Sequence, residues 1–285
     1  MGRRFEGILI ASDFDRTLTD PLGRVPERNL EALRMFMEEG GRFSVASGRS
    51  VPMFRSKKPL FESNAPSILF NGAACYDFDR ECLVFGTPLP RLDGLIAEAM
   101  KRYPLKNCEL QGIKRHCVFR IDRERSDAFR SLGVKLYDIP YEKISDPMYM
   151  LFLGDDFIRA DDPVRDFQST TPEVEAMFED CCAWVESQGP FYAIRSTRRN
   201  TEVVMRGVSK GSAARKLADE LGCRTLVCAG DAMNDLAMLE EADLCFTPSD
   251  GDPDIRPLLA NKLRVVGPCG QGALADVIEQ LRMIL

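Results

Sequence analysis

One histidine and one tryptophan are all that 285 residues supply of either type. A lone His116 disfavours Ser-His-Asp and Cys-His mechanisms and any zinc site built from Cys and His. The ten cysteines are scattered from Cys75 to Cys269 without a C-x-x-C pair. That spacing suits buried thiols in a reducing, cytoplasmic protein better than a disulfide scaffold. No apolar run approaches the roughly 18 residues that a membrane span needs. The opening MGRRFEGILIASDFD breaks its short apolar stretch at Asp13 and shows no small-residue cleavage site, so a signal peptide is not expected. An excess of positive charge is lacking too: 38 Lys and Arg face 44 Asp and Glu, for a net charge of −6. This balance argues against a nucleic-acid surface, but a small phosphorylated ligand can still find a locally positive pocket. Chemistry in such a chain should rest on carboxylates.

What is present is an alternation of strand and helix at both ends. EGILIASDFD (6–15) is an apolar run ending in acids, as a buried strand would. In PERNLEALRMFMEEG (26–40), Leu30, Leu33, Phe36 and Met37 share a helical face between Pro26 and Gly40. RFSVASGRS (42–50) and SILFNGA (67–73) read as further strands. The last third alternates in the same way, with a helix over 209–222, the strand TLVCAGD (225–231), a helix over 233–242, two short strands and a closing helix. These βαβ units predict an α/β fold with a doubly wound, mostly parallel Rossmann-like sheet. The middle differs, with a helix at 89–102, extended segments near 115–121 and 148–153, a helix at 172–187, and acidic pairs at Asp155-Asp156 and Asp161-Asp162. FYAIRST and TEVVMRG then lead back to the core. The expected organisation is a core of 1–85 and 189–285 with an inserted α+β domain over 86–188.

Four clusters fall at strand ends or helix starts, where open α/β sheets bind ligands. Asp13-Phe14-Asp15-Arg16-Thr17 places two carboxylates where a turn after the strand can aim both at one point, as nucleophile, acid and base, or metal ligands. A solvated acidic turn is its bland alternative. Gly230-Asp231-Ala232-Met233-Asn234-Asp235 is oxygen-rich and suits Mg²⁺, or else Asp231 merely caps a helix. Ala46-Ser47-Gly48-Arg49 offers a hydroxyl and free amides that can cradle phosphate, although so short a motif is weak by itself. Lys210 sits at the unfavourable end of its helix dipole unless an anion lies opposite.

Taken in order, D-F-D-x-T, S-G-R, a lysine and G-D-x-x-N-D resemble the four core motifs of the haloacid dehalogenase superfamily of phosphohydrolases. The long insertion between Ser47 and Lys210, with FNGA (70–73) and GVSKG (207–211), resembles its Cof-type, class IIB branch. The resemblance implies a Mg²⁺-dependent phosphatase of small phosphate monoesters, sugar phosphates among them, acting through an aspartyl-phosphate. It implies Asp13 as nucleophile and Asp15 as acid and base. Mg²⁺ would be held by Asp13, Asp231, Asp235 and the carbonyl of Asp15. Ser47, Gly48 and Lys210 would hold phosphate, Asn234 would orient Lys210 or a metal ligand, and Asn71 would touch phosphate or cap-side substrate. The expected partner is a small phosphorylated metabolite, with no nucleic acid and no membrane. Two alternatives stay open: a sugar phosphomutase of the same superfamily, and a non-catalytic phosphate- or metal-binding protein. One residue departs from the pattern, since Arg16 stands where the superfamily has Gly. If the position needs a positive φ, Arg carries a steric cost there. Arg195, Arg198 and Arg199 are cap candidates for substrate contact, or simply a solvated basic loop.

Overall fold

Ile8 and Ile10 face one apolar cluster and Leu9 and Ala11 another, so this first strand is buried on both sides. A computed structural model describes residues 3–155 and 170–284. Strand Ile8–Ser12 is an interior strand of a five-stranded parallel sheet, between Arg42–Val45 and Thr225–Ala229, with Leu244–Pro248 and Leu263–Val266 beyond the latter. The chain leaves Ile8–Ser12 toward one edge and later returns on its other side. The carboxyl end of that strand therefore borders the switch point where such sheets form a crevice. Helix Glu27–Glu38 buries Leu33 and Phe36 against the sheet, with Leu30 and Met37 beside them, as its periodicity predicts. The fold is the expected α/β core with a separate, mainly antiparallel cap sheet.

Several elements depart from the expectation. SILFNGA is a strand only over Ser67–Leu69; a tight turn over Phe70–Gly72 follows, with Phe70 and Asn71 left-handed, and leads into Ala74–Asp77 and Cys82–Gly86. The helix expected from 89 begins at Leu95, because Pro88 and Pro90 disfavour helix over 87–90 and Gly94 is left-handed. The larger correction concerns the return to the core at 189. Phe191–Ile194 and Asn200–Met205 are strands of the cap sheet, whose order continues through Met148–Gly154, Asn107–Gly112 and His116–Arg120 to Leu136–Tyr137. The boundary expected at 188/189 thus falls within the segment that builds this sheet. Backbone pairing with 151–154 holds Asn200–Met205 there, and Val203 belongs to the cap's apolar cluster. Asp156 and the Asp161-Asp162 pair lie outside the described residues. All ten cysteines are unpaired and eight are buried. Among the described residues no helix is long and apolar enough to cross a membrane.

Candidate active site

Lys210 carries its charge 1% exposed, and that cost has a local answer. Its Nζ donates at 2.7 Å to Asp13 Oδ1 and at 2.7 Å to Asp235 Oδ1. Burial opposes the ammonium, but the two carboxylates outweigh it and hold its pKa above the usual lysine value. Helix Lys210–Glu220 is fixed at this end by a capping box between Ser209 and Ser212. It also sits against the Phe70–Gly72 turn: a Cβ at Gly72, where φ is 100°, would lie 2.0 Å from the Ser209 carbonyl oxygen. Only glycine permits that approach.

The two acidic clusters converge as expected. Asp13 follows Ile8–Ser12 and Asp231 follows Thr225–Ala229, which are paired neighbours. Candidate ligand oxygens of Asp13, Asp231 and Asp235 lie within 4.8 Å of one another, and all three residues are buried. Asp231 Oδ1 accepts from Thr17 Oγ1 at 2.9 Å. Asp231 is not the inert cap that its position allowed. Asp235 Oδ2 instead accepts from the Asp231 and Ala232 amides, shaping the turn, while Oδ1 holds Lys210. Burial, reinforced by Asp235 and Asp15 and opposed by Lys210, raises the Asp13 carboxyl to about 7. Three clustered carboxylates against one ammonium leave uncompensated negative charge. An all-oxygen set of this kind fits a hard divalent cation such as Mg²⁺.

The remaining expected residues divide. Ser47, Gly48 and Asn234 line one chamber with Asp13, Asp15 and Asp231. Among the described residues no hydrogen bond joins Asn234 to Lys210, whose ammonium is held by the two aspartates. Asn71 is fully buried and reaches the cap: its Nδ2 donates to Glu202 Oε2 at 2.5 Å, while its backbone amide donates to Ser47 O. Arg16 adopts φ 64°, so the position does need the left-handed region, and its side chain lines the chamber. Arg195, Arg198 and Arg199 approach Glu179, Glu175 and Asp155 and do not line the chamber.

One partner lay unread within its motif. Arg49 clamps Asp15 bidentately, Nε to Oδ2 at 2.8 Å and Nη2 to Oδ1 at 2.9 Å. The signal was its position two residues beyond Ser47, at the same strand end. The chamber holds about 250 Å³, small against ligand pockets of about 300–1,000 Å³. Its far wall comes from the cap, with Gln111, Arg125, Met150, Phe152 and Glu202.

A model of haloacid dehalogenase-like hydrolases matches residues 10–261. A haloacid dehalogenase-like hydrolase from Bacteroides thetaiotaomicron superposes with a TM-score of 0.76 at 18% identity, over 97% of this chain and 99% of that one. A haloacid dehalogenase subclass IIB sugar phosphatase gives 0.75 at 16% identity, over 96% and 99%. Another phosphatase of the superfamily from Bacteroides thetaiotaomicron gives 0.74 at 17%, over 99% and 97%. At these identities the structural likeness is one of fold. No match was found among the curated proteins.

Proposed function

The chain belongs to the haloacid dehalogenase-like hydrolase family, and from that premise we propose that it is a Mg²⁺-dependent phosphatase of small phosphate monoesters such as sugar phosphates. The observation that carries this reading is the buried Asp13–Lys210–Asp235 group beside Asp231, of which Asp13 and Asp231 line a small chamber walled by the cap. Asp13 is the nucleophile: its carboxylate attacks phosphorus, the ester oxygen leaves, and an aspartyl-phosphate forms. Asp15 gives a proton to the departing alkoxide and later takes one from the attacking water. Arg49 orients Asp15 before the substrate enters. Ser47, the Gly48 backbone and Lys210 bind the phosphoryl oxygens, and loss of such a donor typically costs about 2.7–4 kcal/mol at the transition state. Asp13, Asp231 and Asp235, with the Asp15 carbonyl, would hold Mg²⁺, which supplies charge neutralisation between an anionic nucleophile and an anionic ester. Asp235 also keeps Lys210 in place. Ten unpaired thiols suit a reducing compartment, the cytoplasm in this reading.

The test is a phosphate-release screen over small phosphate esters with Mg²⁺ and after stringent chelation. We expect inorganic phosphate from compact esters, abolished by chelation and restored by Mg²⁺. Full activity in the stripped protein would defeat the mechanism, and an isomerised sugar phosphate without released phosphate would mark a mutase.

A further inference from the structure

The cap sheet turns polar side chains inward, which is why its Asn107–Gly112 strand does not look like a strand in sequence. Leu110, Leu151, Leu153 and Val203 pack into the cap's apolar cluster with Phe178 and Val185 of helix Pro172–Ser187. Side chains alternate across a strand, so Glu109 and Gln111 take the other face. The register sets Glu109 opposite Phe152, Gln111 opposite Met150 and His116, and Glu202 opposite Phe152. This face supplies the far wall of the chamber.

Glu109 is fully buried and organises its neighbours. Its Oε2 accepts from His116 Nε2 at 2.8 Å, Gln111 Nε2 at 3.1 Å and Arg125 Nη2 at 3.1 Å, and Oε1 accepts from Arg125 Nε. Burial alone would raise its pKa, but the Arg125 charge and the His116 hydrogen bond outweigh it and hold the carboxyl at about 2. Glu109 is therefore an acceptor and never a donor near neutral pH. That settles the Gln111 amide, because only its NH₂ can face a carboxylate. The amide oxygen must point away. Gln111 is 1% exposed and, among the described residues, its Oε1 has no hydrogen-bond partner. A buried acceptor left unpaired carries a free-energy penalty that a suitable donor removes.

We infer that Gln111 is a specificity-determining residue whose amide oxygen accepts a hydrogen bond from a hydroxyl of the leaving alcohol, with Glu109 as the residue that positions it. The inference rests on the phosphatase reading above. The Arg125 guanidinium is already paired with Glu109, so the acceptor offered by Gln111 is a neutral amide oxygen, matched by the neutral hydroxyl of a leaving alcohol. A site built around an acceptor discriminates strongly against an analogue lacking the donor, which leaves that acceptor unpaired.

The experiment compares polyol phosphates with alkyl phosphates of equal chain length: glycerol 3-phosphate with propyl phosphate, erythritol 4-phosphate with butyl phosphate, and sorbitol 6-phosphate with hexyl phosphate. The readout is the polyol-to-alkyl ratio of kcat/KM in the intact Mg²⁺-loaded protein. The wild type should show a ratio on the order of 10- to 100-fold for at least one length, and Gln111→Met, close in shape, should bring it near one. Glu109→Gln can donate to the Gln111 oxygen and should lower the ratio too, whereas a purely structural loss would slow both series in proportion. Hydrolysis of both series with a wild-type ratio near one at every length would overturn the inference. So would an unchanged ratio in folded Gln111→Met. Should that variant fail to fold, the wild-type ratios and Glu109→Gln still decide. Hydrolysis of neither series, with no other ester cleaved in the screen above, would instead remove the phosphatase reading.

Discussion

Two buried carboxylates, Asp13 in the core and Glu109 in the cap, are driven in opposite directions by the same protein. Asp13 is raised to about 7 and Glu109 is held at about 2. Burial penalises both. The difference lies in their company: Glu109 is paired directly with Arg125 and His116, whereas Asp13 shares one lysine with Asp235 and lies near Asp15 and Asp231. The cap carboxylate is held by its hydrogen-bonded partners and acts as scaffolding. The core cluster keeps surplus negative charge, which is what the proposed function uses.

Substitution breaks the comparison most sharply. Asp13→Asn should lower phosphate release by about 10⁴-fold or more, since an amide is a very poor nucleophile at phosphorus. Its thermal unfolding should be unimpaired, because the change removes surplus negative charge. Steady-state kinetics and calorimetry on one preparation check both halves. Glu109→Ala should do the reverse to stability, costing about 3–5 kcal/mol by leaving Arg125 and His116 without their carboxylate, as read by urea denaturation.

Titration of the metal-free protein sharpens the contrast. Asp13 binds its proton more tightly folded than unfolded, so between pH about 3.8 and about 7 its contribution makes stability fall as pH rises. Glu109 binds its proton less tightly when folded. Its contribution is present above the ordinary carboxylate range and is lost as pH falls from about 4.5 toward about 2. Denaturation curves across pH, as wild type minus Asp13→Asn and wild type minus Glu109→Gln, should show slopes of opposite sign. The smallest effect belongs to Arg16→Gly. Relief of its left-handed φ of 64° should stabilise the protein by about 1 kcal/mol, visible as a raised Tm. A lowered Tm would show that Arg16 side-chain contacts outweigh the strain.

The core was legible because its signals are local. Apolar runs ending at Asp13, Ser47 and Asp231 mark strand ends, and a parallel sheet puts strand ends at one edge. The cap was less legible for an equally local reason. Glu109 and Gln111 make Asn107–Gly112 look polar, and only its neighbours in the cap, Arg125 and His116 beside Glu109, allow those side chains to be buried. The segments Phe191–Ile194 and Asn200–Met205 were legible as extended, but which sheet they join depends on pairing with 151–154, far away in the chain.

Sequence by itself determined that acidic residues follow the apolar runs at Asp13 and Asp231, that position 16 departs from its motif, and that His116 is the single histidine of these 285 residues. Tertiary structure decided the partnerships. Lys210 meets Asp13 across 197 positions, Arg49 takes Asp15, Asn71 reaches Glu202, and Gln111 of the chamber wall keeps an amide oxygen unpaired among the described residues. The reason is physical. Periodicity and turn chemistry act over a few residues and are written in the chain. The pKa and hydrogen-bonding state of a buried group depend on whichever charges folding brings within a few ångströms, and nothing local to Asp13 or Gln111 names them.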